Sequence, residues 1–239
     1  MSRPSVDCAT EEIRGAVVVM AKAPREGSVK TRLTGAYAPR DVVHLSECML
    51  RDTLALVQAL SRVHVAVMCP AEDVAHIGAR SPAGVQVVRQ RGDGLAAALA
   101  SAFEHFVPDF RRVVAVDSDS PHLPLAILES AFGLLEINDV VVGPTEDGGY
   151  YLVGASATHP RIFDSAPLGT SNARDALLGN ARALGLSVAF TETWYDVDVP
   201  ADLRRLAAEL RIEPARAPRT AALLASWQPS THAHDERAG

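Results

Sequence analysis

The sequence predicts an α/β fold with a mostly parallel central sheet and helices on both faces. Short apolar, β-branched runs alternate along the chain with helix-length segments of amphipathic or Ala- and Leu-rich sequence. Strands that alternate with helices of ten or more residues favour parallel pairing. Polar clusters follow several of these runs directly. In an open sheet of this kind the ligand binds at the carboxyl ends of the strands, so these clusters are the candidate functional residues.

Strands are predicted where short apolar runs stand between turn residues. The first run, residues 15–21, is typical of a strand that is buried on both faces. The segment 148–154 is either a strand or the arm of a hairpin. The remaining predicted strands are 63–69, 85–88, 113–116, 140–142 and 186–190.

Helices are predicted where apolar residues recur at three- and four-residue spacing or where Ala and Leu dominate. Pro39 and Pro124 suit the first turns of two of them. The predicted helices are 39–61, 71–80, 95–106, 123–136, 171–184 and 200–211. Residues 14–212 are therefore predicted to form a single domain. Residues 1–13 and 229–239 are expected to be disordered, and the tail, 213–239, to hold one short helix around 218–227.

Composition and charge exclude several classes of protein. The chain has 239 residues, 48% hydrophobic and 22% charged, which is ordinary for a globular protein. The net charge of −6 argues against a nucleic-acid partner and against a polybasic membrane anchor. No apolar run approaches the ~20 residues of a membrane span, and the three cysteines are widely spaced. We expect a cytoplasmic protein. Its Ala- and Leu-rich helices could form the interface of a homodimer or pack in the core of the monomer.

A basic loop follows the first predicted strand. Lys22, Arg25, Lys30 and Arg32 place four cations within eleven residues, and Gly27 permits a tight bend among them. Backbone amides with convergent cations are what a polyphosphate requires. The loop is neither a P-loop nor a dinucleotide-binding GxGxxG motif. A solvated basic loop without function is the alternative.

Two pairs of carboxylates stand at the ends of different strands. Asp117 and Asp119 follow the fourth strand, and Asp196 and Asp198 follow the last one. Alternating carboxylates of this kind can chelate Mg²⁺ or Mn²⁺, which prefer oxygen ligands. The two pairs could meet at one cation that bridges phosphates. Capping of the helices that follow is the alternative for both pairs.

Two glycine-containing segments are weaker candidates. The segment 92–94, after the third strand, could contact a nucleobase through its backbone or be only a loop. The segment after the fifth strand could shape an acceptor pocket or be a plain hairpin turn. Its candidate acceptor-binding residues are Asp147, Gly148, Gly149 and Tyr150.

Four sequence strings contain most of these candidate residues and occur in a fixed order across residues 16–206. They are AKAPREGSVKTRL, VDSDSPHLP, GPTEDGGYYLVG and YDVDVPADL. In this the chain resembles the DUF2064 family of the GT-A, nucleotide-diphospho-sugar-transferase-like superfamily. It is more distantly similar to the 2-phospho-lactate and phosphoenolpyruvate guanylyltransferases of coenzyme F420 biosynthesis. Where relatives often read GDLGER, this chain reads GDGLAAAL, so a charged residue is missing there.

The resemblance implies a GT-A-like, Rossmann-type fold and roles for individual residues. Asp119 would bind the metal, Asp198 would be the second ligand with Asp196 nearby, and Lys30 and Arg32 would belong to the phosphate-contacting loop. Asp117 stands where relatives often have Gly or Ser, and it completes the candidate metal set. The candidate nucleotide-binding residues are Ala21, Lys22, Ala23, Gly27, Lys30, Arg32, Gly92 and Asp93.

The preferred function is a metal-dependent nucleotidyltransferase that moves NMP from a nucleoside triphosphate to a small phosphorylated acceptor and releases pyrophosphate. Lys30, Asp119 and Asp198 are its candidate catalytic residues. The alternative is a glycosyltransferase with a UDP- or GDP-sugar donor. The Lys/Arg-rich loop and the second Asp pair favour the triphosphate. A third hypothesis is a non-catalytic nucleotide-binding protein of the same fold.

Overall fold

A single seven-stranded sheet runs through residues 15–159, 161–164 and 172–227, which are the residues that the computed structural model describes. The strands are β1 (Gly15–Met20), β2 (Val63–Cys69), β3 (Gln86–Arg89), β4 (Val113–Asp117), β5 (Val140–Pro144), β6 (Tyr150–Ala155) and β7 (Val188–Phe190). All the predicted strands are present, with ends shifted by one or two residues. The expected disorder of 1–13 and 229–239 lies outside the described residues.

The strand order is β3-β2-β1-β4-β6-β5-β7. Six strands point the same way, and β6 alone is antiparallel to its neighbours β4 and β5. The predicted mostly parallel sheet is therefore confirmed. The segment predicted as a strand or a hairpin arm is both, since β6 is the returning arm of the β5–β6 hairpin.

Each predicted helical segment contains a helix, with ends that differ from the predicted ones by up to three residues. Residue 171, predicted to begin one of them, lies outside the described residues. The described helices are α1 (Pro39–Gln58), α2 (Val74–Gly78), α3 (Gly94–Phe106), α4 (Leu125–Leu134), α5 (Ala173–Ala183), α6 (Pro200–Ile212) and α7 (Pro218–Ser226). Pro39 lies in the first turn of α1, as predicted. The placement of Pro124 in a first turn is wrong: its ψ of 134° is extended, so it stands before α4 as the N-cap. The predicted helix 71–80 is a 3₁₀ turn, Ala71–Asp73, followed by the short α2.

Helices cover the sheet on both faces. The alternate side chains of β1 accordingly pack into two separate cores, one on each face. Val17 and Val19 pack with residues of α1 and α4. Ala16 and Val18 pack on the other face with residues of α3 and α5. All four are fully buried, as expected for a central parallel strand. A third core joins α1, α6 and α7 around the segment that leads into α6.

The C-terminal helix is attached to the body of the fold through one buried carboxylate. Asp52, in α1, accepts hydrogen bonds from the backbone N–H of Thr220 at 2.8 Å and from its hydroxyl at 2.9 Å. Its other oxygen accepts from Arg219. Asp52 thus satisfies first-turn donors of α7 that the helix itself leaves unpaired. No helix among the described residues has the length and hydropathy needed to cross a bilayer.

Candidate active site

A cleft of about 950 Å³ opens at the carboxyl ends of β1, β2, β3 and β4. The parallel strands bring their polar ends to this one edge, which is where an α/β sheet holds its ligand. Most of the nucleotide- and metal-binding candidates lie on the cleft wall. These are Ala21, Lys22, Gly27, Lys30, Gly92, Asp93, Asp117, Asp119 and Asp198.

At the centre of the cleft, the ammonium of Lys30 stands between two carboxylates. Its Nζ lies 2.8 Å from Oδ1 of Asp119 and 3.0 Å from Oδ1 of Asp198. The Lys30 side chain is only 5% exposed, whereas those of Asp119 and Asp198 are 38% and 40% exposed. Burial alone would lower the pKa of Lys30, but the two carboxylates raise it above its ordinary value. Lys30 is therefore held as a cation beneath two carboxylates that face the cleft.

The loop between β1 and Lys30 is shaped by Asp73, which follows β2. The buried Asp73 carboxylate accepts a hydrogen bond from the backbone N–H of Ala23 at 2.9 Å and pairs with the Arg25 guanidinium. Arg25 also donates to the carbonyl of Glu72. Arg25 is thus engaged with the neighbouring loop, and its charge is compensated there rather than left for a ligand.

Two positive φ angles turn the loop back toward the sheet. Gly27 has φ +74°, a conformation that glycine adopts without steric cost. Lys30 has φ +47° and ψ +39°, in the left-handed region that residues with a Cβ rarely adopt. Strain of this kind persists only where surrounding contacts hold it, and it clusters at functional sites. Here the contacts include the two ion pairs of Lys30 and the hydrogen bond that its carbonyl accepts from the Leu33 backbone N–H at 2.9 Å.

Asp117 is turned toward the backbone that follows it. Its Oδ1 accepts from the backbone N–H of Asp119 at 2.9 Å and of Ser120 at 3.2 Å, which closes an Asx-type turn after β4. Burial raises the pKa of Asp117 well above its usual value, and the nearby Asp119 and Asp196 carboxylates add to the effect. The turn directs the side chain of Asp119 toward Lys30.

The cap of α6 is supplied by a residue other than the Asp pair. The Asp202 carboxylate accepts from the backbone N–H groups of Asp198 and Val199 at 3.0 and 2.9 Å. The Asp198 side chain is therefore free of capping and pairs with Lys30 instead. Asp196 lies two residues earlier, where burial and the charge of Asp198 raise its pKa to about 6.

The glycine-rich segment forms the turn of the β5–β6 hairpin. Asp147 accepts from the Thr145 hydroxyl at 2.5 Å and from the backbone N–H of Gly149 at 3.1 Å. The hydrogen bond from Thr145, with smaller contributions that include the charge of Arg32, lowers the pKa of Asp147. Gly148 has φ +93°, and a Cβ on Gly149 would lie 2.9 Å from the Thr145 hydroxyl. Both glycines are thus required by the turn itself.

Some candidates lie behind or beside the cleft rather than on its wall. Ala23 is buried, and its backbone serves the loop. Asp147 interacts electrostatically with both Arg32 and Asp196, which places the hairpin turn beside the carboxylate cluster. The candidates outside the set that lines the cleft are Ala23, Arg32, Asp147, Gly148, Gly149, Tyr150 and Asp196.

Asp73 and Gln90 line the cleft and were absent from the sequence-based candidates. Asp73 follows β2, and Gln90 follows β3, where its side-chain amide donates to the carbonyl of Gly92 at 3.2 Å. The argument from strand ends could have found both residues.

The site fits a divalent cation that a ligand helps to hold. Among the described residues no group of three or more His, Cys, Asp or Glu side chains forms a ready metal cage. Asp119 and Asp198 nevertheless converge on one point, where a cation, the Lys30 ammonium, already lies. Mg²⁺ in nucleotide sites is commonly bound through one or two carboxylates plus substrate phosphates. The donor set matches that pattern.

Comparisons with known proteins agree with this fold. A provisionally named nucleotide-diphospho-sugar transferase from Desulfovibrio desulfuricans G20 superposes with a TM-score of 0.81 at 26% identity, over 89% of this chain and 94% of that one. The 2-phospho-L-lactate guanylyltransferase of Methanothermobacter thermautotrophicus is 29% identical over 181 residues, 73% of this chain and 76% of the relative. The 4-diphosphocytidyl-2C-methyl-D-erythritol synthase of Anaerococcus prevotii shares the fold alone: its TM-score is 0.56 at 11% identity, over 82% of this chain and 96% of that one.

The fold is thus that of the nucleotidyl and nucleotide-sugar transferases, as predicted. The family model DUF2064, described as an uncharacterized protein conserved in bacteria, matches residues 53–170. That stretch contains the strings VDSDSPHLP and GPTEDGGYYLVG. The resemblance to the DUF2064 family is confirmed.

Proposed function

We propose that this protein is a metal-dependent nucleotidyltransferase, which transfers NMP from a nucleoside triphosphate to a small phosphorylated acceptor and releases pyrophosphate. The observation that carries the proposal is the meeting of Lys30, Asp119 and Asp198 at the centre of the strand-end cleft. They come from three separate segments of the chain. An ammonium group and two carboxylates at one point suit a substrate that is bound as a metal–phosphate complex, since the carboxylates can bind the metal and the ammonium can bind the phosphates.

The supply of positive charge favours a triphosphate over a sugar nucleotide. The sequence contains only two lysines, Lys22 and Lys30, and both line the cleft. Lys22 is exposed, and Gly27 and Ser28 bring loop backbone to the same wall. Transfer of NMP expels pyrophosphate, whose developing charge needs such cations. The guanylyltransferase relative, with 29% identity, supports the same reaction class.

The chemistry follows from the positions of these side chains. Asp119 and Asp198 would hold Mg²⁺ or Mn²⁺, which would neutralise phosphate charge and orient the reacting phosphorus. An oxygen of the acceptor's own phosphate attacks the α-phosphorus, and the bond from the α-phosphorus to the bridging oxygen breaks. Pyrophosphate leaves with the electron pair of that bond. Lys22 and Lys30 stabilise its negative charge. No strong general base is required, because the attacking oxygen belongs to a phosphate that is already ionised.

The acceptor is proposed to bind on the side of the cleft nearest the β5–β6 turn. Asp147 lies within electrostatic range of Asp196, and Asp196 precedes the candidate metal ligand Asp198 by two residues. A phosphorylated small acid or a sugar phosphate placed there would bring its phosphate toward the α-phosphorus. Asp147, Gly148, Gly149 and Tyr150 would shape that pocket.

Pyrophosphate release is the direct test. Each of the four nucleoside triphosphates is incubated with Mg²⁺ and a panel of phosphorylated small acids and sugar phosphates, and pyrophosphate is measured with a coupled assay. We expect release that requires one triphosphate, one acceptor and the metal together. Release of nucleoside diphosphate from a UDP- or GDP-sugar would instead establish glycosyl transfer, the reaction suggested by the name of the Desulfovibrio relative. Metal-independent ligand binding without turnover would favour a binding protein.

A further inference from the structure

The buried ammonium of Lys30 occupies the point where the two candidate metal ligands converge. The distances from Nζ to Oδ1 of Asp119 and of Asp198 are 2.8 and 3.0 Å, and the Lys30 side chain is 5% exposed. The carboxylates are about 40% exposed, so their outer oxygens face the cleft. A divalent cation that approached from the cleft would meet these carboxylates first, with a positive charge directly behind them.

We propose that Lys30 is a resident counter-ion, which a divalent cation displaces when it binds to Asp119 and Asp198. The freed ammonium then turns toward the phosphates of the nucleotide. This inference rests on the proposed function, because it takes the same carboxylates as the metal ligands. It adds a step: the metal and Lys30 use the carboxylate pair in turn rather than together.

The exchange is expected because a divalent cation and the Lys30 ammonium repel each other when both lie beside the same two carboxylates. A divalent cation on the same carboxylate oxygens would lie within a few ångströms of Nζ, and like charges at that distance repel strongly in a partly buried site. Lys30 can leave because lysine carries its charge on a flexible four-carbon stem. Triphosphate oxygens in the cleft would replace the carboxylates as its partners, so the ammonium would not be left unpaired.

The backbone conformation of Lys30 also indicates that its ion pairs hold the side chain in place. Its φ of +47° is uncommon for a residue with a Cβ, and Gly27, three residues earlier, has φ +74°. The ion pairs to Asp119 and Asp198 help to hold this strained conformation in the ligand-free protein. When a metal takes the carboxylates, these two contacts no longer hold the strained conformation, which lowers the cost of a change in the loop.

The lysine content of the chain makes a direct test practical. Lys22 and Lys30 are the only lysines, and the arginines at 14, 25 and 32 place them in separate tryptic peptides. A short pulse of an amine-acetylating reagent, read by mass spectrometry, therefore gives the reactivity of Lys30 with the exposed Lys22 as an internal reference. In the metal-free protein we expect Lys30 to react far more slowly than Lys22.

Addition of Mn²⁺ alone, without nucleotide, should raise the acetylation rate of Lys30 severalfold and leave Lys22 unchanged. EDTA should reverse the effect. In the double variant Asp119→Asn/Asp198→Asn, Lys30 should react quickly without metal and no longer respond to Mn²⁺. If Mn²⁺ binds to the wild-type protein while Lys30 stays protected, the two cations share the carboxylates and the exchange is refuted.

Mn²⁺ affinity, measured by electron paramagnetic resonance of free Mn²⁺, gives a second readout. Lys30→Met should bind Mn²⁺ at least roughly tenfold more tightly than wild type, since one close charge at an effective dielectric near 20 exceeds that factor. Lys22→Met, which removes the same charge from the same cleft, should change affinity much less. An equal increase in Mn²⁺ affinity in both variants would mean that net charge alone sets the affinity, and it would contradict a specific exchange at Lys30. Because no nucleotide is present, a negative result here leaves pyrophosphate release as an independent test of the proposed function.

Discussion

Lys30 Nζ and Asp198 Oδ1 are 3.0 Å apart although 168 positions separate the two residues in the chain. One belongs to the loop after β1 and the other to the segment that leads into α6. They meet above the end of β4, where Asp119 supplies the second carboxylate. The candidate site therefore exists only in the folded sheet, and each of its three charged groups depends on a different strand end for its position.

Replacement of Asp119 by Asn should lower turnover by at least roughly a hundredfold, because it removes a charge that the metal–phosphate complex requires. The fold should persist, since the Asp119 side chain is 38% exposed and Lys30 keeps Asp198 as a partner. Pyrophosphate release and thermal melting measure the two effects. Asp109→Asn, an exposed residue beyond the opposite end of the sheet, is the matched control. Near-normal turnover in Asp119→Asn would remove the metal-centred mechanism.

Asp73→Ala should weaken triphosphate binding more than it slows the chemical step. The change leaves the buried N–H of Ala23 without its acceptor and releases Arg25, so the loop loses its shape. An orphaned buried donor costs about 1–3 kcal/mol of unfolding free energy. Steady-state kinetics should show a raised KM for the triphosphate with a smaller change in kcat, and urea unfolding should show the loss of stability. Asp109→Ala, at an exposed residue outside the cleft, should do neither. A fall in kcat alone would contradict a positioning role.

His122 should make the fold sensitive to acid. It is fully buried, its Nε2 accepts from the Trp194 indole at 3.1 Å, and burial, together with Arg216 and Arg205, lowers its pKa to about 3. The unfolded state takes up a proton near pH 6.5, whereas the folded state resists it until about pH 3. The contribution of His122 is therefore complete above pH 6.5 and is lost as the pH falls through this window, by about 2 kcal/mol at pH 5.

The difference between wild type and His122→Gln isolates this effect, because the other titrating groups are common to both. The glutamine carbonyl can still accept from Trp194 but does not titrate. Urea unfolding at several values between pH 5 and pH 8 gives both curves. Wild type should lose stability below pH 6.5 more steeply than the variant. Parallel curves would show that His122 does not control the acid response.

Asp52→Ala should loosen the C-terminal helix and leave the cleft intact. The change removes the acceptor for the backbone N–H and the hydroxyl of Thr220, both buried. We expect a loss of about 1–3 kcal/mol in the free energy of unfolding. Hydrogen exchange should locate the loss in α7. Arg51→Ala, at an exposed neighbouring position of α1, is the control. Unchanged protection of α7 would contradict the role of Asp52.

Much of the fold could be predicted because its signals are local. Continuous β-branched runs such as the one in β1 are typical of strands buried on both faces, and Val17 and Val18 do pack into opposite cores. The antiparallel direction of β6 has no such signal, since a strand run reads alike in either direction. It is decided by the short turn around Gly148, which cannot accommodate a crossover helix.

The candidate site could be predicted only in part. The sequence places Asp119 and Asp198 at strand ends, but whether an Asp caps a helix or faces a ligand depends on its neighbours. The Asp198 side chain faces the cleft because Asp202 caps α6 in its place. The partnership of Asp73 with Ala23 joins loops 50 residues apart and has no signature in either loop.

Thermal stabilisation by Mg²⁺ with each of the four nucleoside triphosphates, beside UDP- and GDP-sugars, shows whether the cleft binds a metal–triphosphate complex. A ligand at 100 times its Kd stabilises by about 2.7 kcal/mol, which a melting curve resolves. We predict a shift in melting temperature with one triphosphate, which requires the metal and is lost in Asp119→Asn. A shift with a sugar nucleotide, and none with any triphosphate, would contradict it.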